Sequence, residues 1–163
     1  MLGAIHKALG TRGFYPIPSW LRSFMARMEP SRAILTYARL MDGVDLSFTV
    51  PDDVGCAESV TRICNALYGD EIIPGTYTLL HHYLRSNKWA ESFAPVNGCV
   101  VIAPTGTGNG SMPGHVGIYD NGKVWSNNSM SGRFDAHFTM SSFYRRYTRD
   151  GGIRVRCFIR VNK

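Results

Sequence analysis

Apolar residues recur at helical spacing through the first half of the chain. The first run starts at Ser19, between Pro18 and Pro30, and predicts a short amphipathic helix. Two of the next three helices in the chain, the second and the fourth, are expected over residues 31 to about 41 and residues 76 to about 85. The third and most regular helix starts at Cys56, because apolar residues follow at intervals of four and three positions and Gly69 supplies a stop.

The second half of the chain changes to the patterns of strands. Residues 99–103 form a short apolar run, and residues 115–119 and 123–128 flank Asn121-Gly122, a strong signal for a two-residue β-hairpin turn. Residues 153–161 alternate apolar and polar positions, which predicts a strand with one buried face, and a short helix over residues 141–147 precedes it. A Gly-rich loop is expected between Thr105 and Gly114. Since helices come first and strands follow, we predict an α+β fold with helices packed on a central antiparallel sheet.

The length of 163 residues suits a single domain. We assign residues 1–30 to an N-terminal amphipathic helical segment and residues 31–163 to the domain itself. An amphipathic helix of this kind more often packs on its own domain or on a partner than on a membrane surface. The N-terminal helices are therefore a candidate docking segment for a protein partner.

The charge balance favours an anionic partner. Lys and Arg outnumber Asp and Glu by 18 to 12, which gives a net charge of +6. The basic residues are dispersed and no nucleic-acid-binding motif is present, so we expect no nucleic acid partner. No segment is long and apolar enough to cross a membrane, and residues 1–28 lack the uninterrupted apolar core of a signal peptide.

Neither a metal site nor a cofactor is expected. Adjacent His81 and His82 point in different directions on the predicted helix, with no carboxylate at the spacing of a metal motif. The cysteines form no C-x-x-C pair, which excludes a zinc-ribbon pattern and a disulfide-rich scaffold. There are four of them, Cys56, Cys64, Cys99 and Cys157.

Cys56 is the candidate nucleophile. It opens a predicted helix, where unpaired N–H groups and the helix dipole stabilise a thiolate. Gly55 before it allows a substrate carbonyl to approach the backbone, and the N–H of Cys56 is placed to donate to an oxyanion. Taken alone, Cys56 is better explained as a small core residue, and His115 is what favours the nucleophile.

His115 is the candidate base, because it opens a strand after a flexible loop and small neighbours leave one side of its ring open. Such a base needs a third group that accepts from its other ring nitrogen. With a two-residue turn in the hairpin, His115 lies opposite Asn128 and shares a sheet face with it. A bulge or a longer turn would exchange Asn128 for Asn127, so both stay open.

The chain resembles the Cys–His cell-wall hydrolases of the papain-like superfamily, namely the CHAP amidohydrolases and the NlpC-type peptidases. The resemblance covers about residues 31–161, and the chain order of Cys, His and a polar residue agrees with it. CHAP is the nearer pattern, since NlpC-type members usually have Asp-Cys-Ser-Gly at the nucleophile and often a third His. CHAP members often have an acid and, two residues later, an Asn on the strand of the third catalytic residue. At that offset, Ser126 stands in the place of the acid and Asn128 in the place of the Asn. The runs that carry the resemblance are Gly55-Cys56-Ala57-Glu58-Ser59-Val60, Val96-Asn97-Gly98-Cys99-Val100-Val101-Ile102, Gly114-His115-Val116-Gly117-Ile118-Tyr119 and Ser126-Asn127-Asn128-Ser129.

This resemblance implies a papain-like hydrolase of bacterial peptidoglycan, either a cysteine endopeptidase or an amidase, that works through a thioester without a cofactor. A small basic hydrolase of this kind suits a phage lysin or a virion-associated enzyme, delivered by the phage or released at lysis, or alternatively a secreted amidase effector. A phage structural or adaptor protein that keeps the fold without turnover is the second hypothesis. A cysteine protease that acts on protein is the third.

Overall fold

The structure, a computed structural model, describes residues 17–51, 54–105, 113–148 and 154–161. Within these ranges the chain forms five helices and six strands, a mixed architecture compatible with the predicted α+β class. Most of the Gly-rich loop predicted between Thr105 and Gly114 lies outside the described residues. So do residues 1–16 of the predicted N-terminal segment and Ile153 of the last predicted strand.

The helices follow the predicted periodicity closely. The helix that starts at Cys56 ends where Gly69 adopts a left-handed conformation with φ of 70°, which only glycine takes up without strain. The second helix buries the apolar residues that recur at helical spacing along it, Ile34, Tyr37, Ala38 and Met41. The five helices are α1 Ser19–Met25, α2 Pro30–Leu40, α3 Cys56–Tyr68, α4 Thr76–Arg85 and α5 Met140–Tyr147.

The strands form one antiparallel sheet in the order β1-β6-β2-β3-β4-β5. Four of them match predicted strands, whereas the two edge strands, β1 and β5, were not predicted. Their bounds are β1 Trp89–Ser92, β2 Val100–Thr105, β3 Pro113–Asp120, β4 Lys123–Asn128, β5 Arg133–Thr139 and β6 Arg156–Arg160.

The β3–β4 hairpin has the predicted two-residue turn. Asn121 and Gly122 have φ values of 46° and 86°, and Asp120 pairs with Lys123 across the turn. The pairing of Ile118 with Trp125 continues the same register. A longer turn is therefore excluded in this hairpin.

A bulge interrupts the next pairing, between β4 and β5. Val124 pairs with Phe138 and Ser126 with Asp135, so β5 has two residues where β4 has only Trp125. An extra residue shifts the alternation of side chains between the two faces. As a result, Phe134 packs into the core on one face of the sheet and Phe138 against the core on the other.

Helices cover both faces of the sheet. The larger core lies between one face and helices α2, α3 and α4, and the smaller core lies between the opposite face and α5. The prediction of one buried face for the last strand is wrong, because β6 lies inside the sheet between β1 and β2. Cys157 is buried in the smaller core and the adjacent Phe158 in the larger one.

Helix α1 is attached to the larger core through few residues. Met25 is fully enclosed and Leu21 packs beside it, whereas Trp20 and Phe24 are largely exposed. No described helix is long and apolar enough to span a membrane. The division into residues 1–30 and 31–163, and the docking role of the N-terminal helices, stay predictions.

A buried carboxylate ties the start of α3 to the loop before it. Glu58 is fully enclosed, and its oxygens accept hydrogen bonds from the backbone N–H groups of Phe48, Thr49 and Val50 at 3.1–3.2 Å. Arg62, one turn along the helix, donates to the same carboxylate at 2.6 and 2.8 Å. Burying a charge is costly unless it is paired and hydrogen-bonded, and both conditions are met here.

We expect Glu58→Gln to lower the free energy of unfolding by about 3 kcal/mol, because it leaves Arg62 without its charged partner. Burial raises the pKa of Glu58, but hydrogen bonds from Arg62 and from the N–H groups of Thr49 and Phe48 outweigh it, and the pKa lies below the ordinary 4.5. The stabilisation is therefore fully present above pH 4.5 and is lost as the pH falls through the lowered pKa of the folded state. Urea unfolding across this pH range measures both effects.

The matched control is Glu71→Gln, because the Glu71 side chain is 73% exposed. Its effect on the free energy of unfolding should stay within about 0.5 kcal/mol. Equal effects of the two substitutions, or a Glu58→Gln protein whose stability falls as steeply in acid as that of the parent, would contradict the role assigned to Glu58.

Candidate active site

The Cys56 thiol lies against the backbone of β3 on either side of His115. Its Sγ is 4.0 Å from the carbonyl oxygen of Gly114, and the backbone N–H of Val116 is close enough to lower the pKa of the thiol. These two backbone groups point to the same edge of β3, beyond the last β3–β4 pair at Ile118. The nucleophile candidate thus occupies the place where the hairpin strands stop pairing.

Packing explains the glycine before the nucleophile. Gly55 is the N-cap of α3, and a Cβ on it would lie 2.3 Å from the Cβ of Ser47 and 3.2 Å from Nδ2 of Asn127. No side chain fits there without displacing its neighbours. Gly55 therefore lets Ser47 and Asn127 close in on the first turn of α3, a packing reason that adds to the predicted approach of a substrate carbonyl.

His115 points from β3 toward α5. Its ring stacks parallel on Tyr147, with centroids 5.1 Å apart, and meets Phe143 at 5.8 Å. Its Nε2 is 2.8 Å from Oγ of Ser126 on β4, which makes Ser126 its hydrogen-bond partner among the described residues. With Nε2 engaged in this way, Nδ1 is the ring nitrogen left for a proton from the thiol.

No hydrogen bond joins Cys56 and His115 within the described part of the chain. Burial raises the pKa of the Cys56 thiol to about 11, although the N–H groups of Val116, Ala57 and Cys56 itself lower it in part. Burial also lowers the pKa of His115 to about 3, with smaller contributions from His137 and Arg146. The expected stabilised thiolate is therefore not present: both groups are neutral near pH 7, because desolvation exceeds the effect of the helix N-terminus.

The two asparagines have different surroundings. Asn127 is buried beside Gly55, at the start of the nucleophile helix. Asn128 donates from Nδ2 to Asp135 at 3.1 Å and accepts from the N–H of Met130. The pairs near the turn follow the predicted register, but the pairing stops before His115 and Asn128, and the hydrogen bond expected between these two is replaced by the one from His115 to Ser126.

An aspartate–histidine pair on β5 adjoins this site and was not predicted. Nδ1 of His137 lies 2.5 Å from Oδ1 of Asp135, and its ring is 6.2 Å from that of His115 in an edge-to-face arrangement. Apolar and polar residues alternate over Phe134, Asp135, Ala136 and His137, and this pattern could have predicted the strand. The bulge, however, changes which side chains share a face of the sheet. No group of three or more described His, Cys, Asp or Glu residues is arranged to hold a metal ion.

Comparisons with known proteins identified no relative of this chain. No protein-family model, no curated protein and no solved structure matches the chain. The assignment to the CHAP or NlpC-type hydrolases therefore rests on the motifs in the sequence, and the roles of Cys56, His115, Asn127 and Asn128 stay predictions.

We expect Ser126→Ala to reduce turnover by about ten- to a hundredfold, because it removes the group that orients Nε2 of His115. Asn128→Ala is the matched comparison on the same strand. It should reduce turnover less, because the Asn128 side chain is hydrogen-bonded to Asp135 and not to His115. Initial rates and melting temperatures of both variants, with Asn127→Ala as the third, measure the order. A larger loss in either asparagine variant at unchanged stability would return the orienting role to that residue.

The four thiols differ in expected reactivity toward iodoacetamide. All are free and buried. Since burial raises the pKa of Cys56 to about 11, its labelling rate should rise about tenfold for each pH unit above 7. Cys64, whose pKa burial raises to about 12, should label more slowly. Peptide mass mapping of timed reactions gives the rates, and a pH-independent rate at Cys56 would show a thiolate already formed at neutral pH.

Proposed function

We propose that this protein is a papain-like cysteine hydrolase that cleaves an amide bond in bacterial peptidoglycan. The observation that carries the proposal is the position of the Cys56 thiol at the first turn of α3, against the backbone of Gly114 and Val116. A nucleophile and a base on adjoining segments, with the base bonded to a third group, is the arrangement of covalent amide hydrolysis. Here the base is His115 and the third group is Ser126.

The reaction needs one proton carrier. Nδ1 of His115 takes the proton from the thiol of Cys56, and the thiolate attacks the carbonyl carbon of the amide to form a carbon–sulfur bond. The N–H of Cys56 holds the oxyanion, and the imidazolium then gives its proton to the leaving nitrogen as the carbon–nitrogen bond breaks. Water, deprotonated by His115, attacks the thioester and releases the carboxylic acid and the thiol.

The neutral resting state sets a requirement on this reaction. Since burial disfavours both the thiolate and the imidazolium, proton transfer between Cys56 and His115 is uphill before substrate binds. Substrate must therefore favour the ion pair, or the segments around the site must open to water. The mechanism predicts that turnover is low with small substrates that make too few contacts to favour the ion pair in the closed site.

Peptidoglycan as the substrate follows from the resemblance to CHAP and NlpC-type enzymes, and the net charge of +6 suits an anionic wall polymer. The scissile bond lies in the stem peptide, in the cross-bridge or between glycan and peptide. A phage lysin or a virion-associated hydrolase is the context that we favour, ahead of a secreted amidase effector.

A non-catalytic phage structural or adaptor protein is the second candidate. The observation that favours it is that the Cys56 thiol and the His115 ring share no hydrogen bond and are both buried and neutral. In such a module the same residues serve only to pack α3 and α5 against the sheet.

Digestion of purified sacculi tests both candidates. The protein should release soluble fragments that mass spectrometry identifies, and the new termini name the broken bond. Cys56→Ala should release none, while Cys64→Ala, which removes an equally buried thiol from the same helix, should retain activity at matched folding. Binding to sacculi without fragments from the parent protein, and no difference from Cys56→Ala, would favour the adaptor.

A further inference from the structure

An exposed cation lies against the aromatic ring that stacks on the buried base. The guanidinium of Arg146 is 5.8 Å from the centre of the Tyr147 ring, and that ring stacks parallel on His115 at 5.1 Å. Arg146 is in the last turn of α5, at the solvent side of the smaller core. The three side chains thus form a continuous path from the surface to the imidazole.

Arg146 has no acidic partner among the described residues. The arginines that belong to the fold are paired: Arg39 with Asp120, Arg62 with Glu58, Arg156 with Glu91 and Arg160 with Asp70. The acid on strand β5, Asp135, is engaged by His137 and Asn128. What separates Arg146 from other exposed arginines is its place beside Tyr147, whose ring stacks on His115.

An unpaired positive charge here opposes the chemistry. The charge of Arg146 contributes to the low pKa of His115, because it repels the imidazolium that forms when His115 takes a proton. A bound anion would cancel this repulsion. A guanidinium matches a carboxylate in particular, since two parallel N–H groups donate to its two oxygens.

We propose that Arg146 binds a carboxylate of the peptide substrate and so determines specificity for acidic peptides. The inference rests on the proposed function, since it names the class of substrate that the Cys56 site accepts. The carboxylate lies within a few residues of the scissile amide, and its charge makes protonation of His115 more favourable when substrate is bound than when the site is empty. Substrate binding thereby supplies part of the stabilisation that the buried site lacks.

The test combines a change in the protein with a change in the substrate. Sacculi are used as isolated, or after their free carboxylates have been converted to amides with carbodiimide and ammonia. Initial rates of fragment release at limiting substrate are measured for the parent protein and for Arg146→Met. The matched control is Arg145→Met, which removes the same charge from the preceding position of α5, which is also exposed.

For the parent protein we expect amidation to lower the rate by about ten- to a hundredfold. Arg146→Met should show the same loss on untreated sacculi and less than about a twofold further loss on amidated ones, because the interaction is already absent. Arg145→Met should behave as the parent does. A parent-like preference of Arg146→Met for untreated sacculi, or no effect of amidation on the parent, overturns this inference alone. No release by the parent protein on either substrate overturns the proposed function as well.

Discussion

Replacing His115 with glutamine should reduce fragment release from sacculi by about a thousandfold or more, because it removes the group that carries the proton between Cys56 and the leaving amine. Glutamine keeps a side chain that reaches Ser126 and fills much of the space under Tyr147, which limits the structural damage. Initial rates at matched protein concentration give the size of the effect. Thermal unfolding of the same samples shows whether the fold is retained.

The control is His82→Gln, since His82 is a partly exposed histidine on α4. It should leave the rate within about twofold of the parent. If His115→Gln keeps a tenth or more of the activity, another base serves Cys56. The Asp135–His137 pair on β5 would then be the first candidate, because the carboxylate already orients that imidazole.

Alanine at Gly98 should lower the free energy of unfolding by about 4 kcal/mol or more. Gly98 has a φ of 82°, and a Cβ there would be 1.9 Å from the backbone oxygen of Ser31 in α2. The left-handed conformation accounts for about 1 kcal/mol of the loss, and the clash forces α2 away from the start of β2. Chemical denaturation measures the change.

Gly43→Ala separates the two contributions. Gly43 also has a positive φ, of 75°, but the space around its missing Cβ is open. Its substitution should therefore cost only about 1 kcal/mol. If both substitutions lower the free energy of unfolding equally, α2 moves away from residue 98 at no cost in free energy. That result would contradict the role assigned to the close contact between Gly98 and Ser31.

Local patterns in the sequence determined most of the elements of this protein. The helix Cys56–Tyr68, the hairpin at Asn121-Gly122 and the strand that carries His115 all depend on short-range preferences: apolar spacing, helix stops and turn geometry. These preferences act between residues a few positions apart, so the sequence alone is sufficient to predict them. The position of Cys56 at a helix N-terminus follows from the same rules.

The neighbours of each strand were decided only in the tertiary structure. Alternation predicts which residues share a face, but not whether a strand lies at an edge or inside the sheet, and therefore the second buried face of β6 was missed. The bulge in β5 likewise depends on pairing with β4, and it moves Phe134 and Phe138 to opposite faces. Strand order and bulges arise from contacts between distant segments, which no local pattern contains.

The electrostatic state of the site was also decided by tertiary structure. A helix N-terminus by itself stabilises a thiolate, and the sequence predicted a reactive Cys56 on that ground. The closed packing of α3 and α5 against the sheet removes water from Cys56 and His115, and the resulting desolvation reverses the expected direction of the thiol pKa. The same packing gives His115 a hydrogen bond to Ser126 and not to Asn127 or Asn128, the two partners expected from the sequence. Residue types and their order follow from the sequence, whereas solvation and partners depend on how distant elements enclose them.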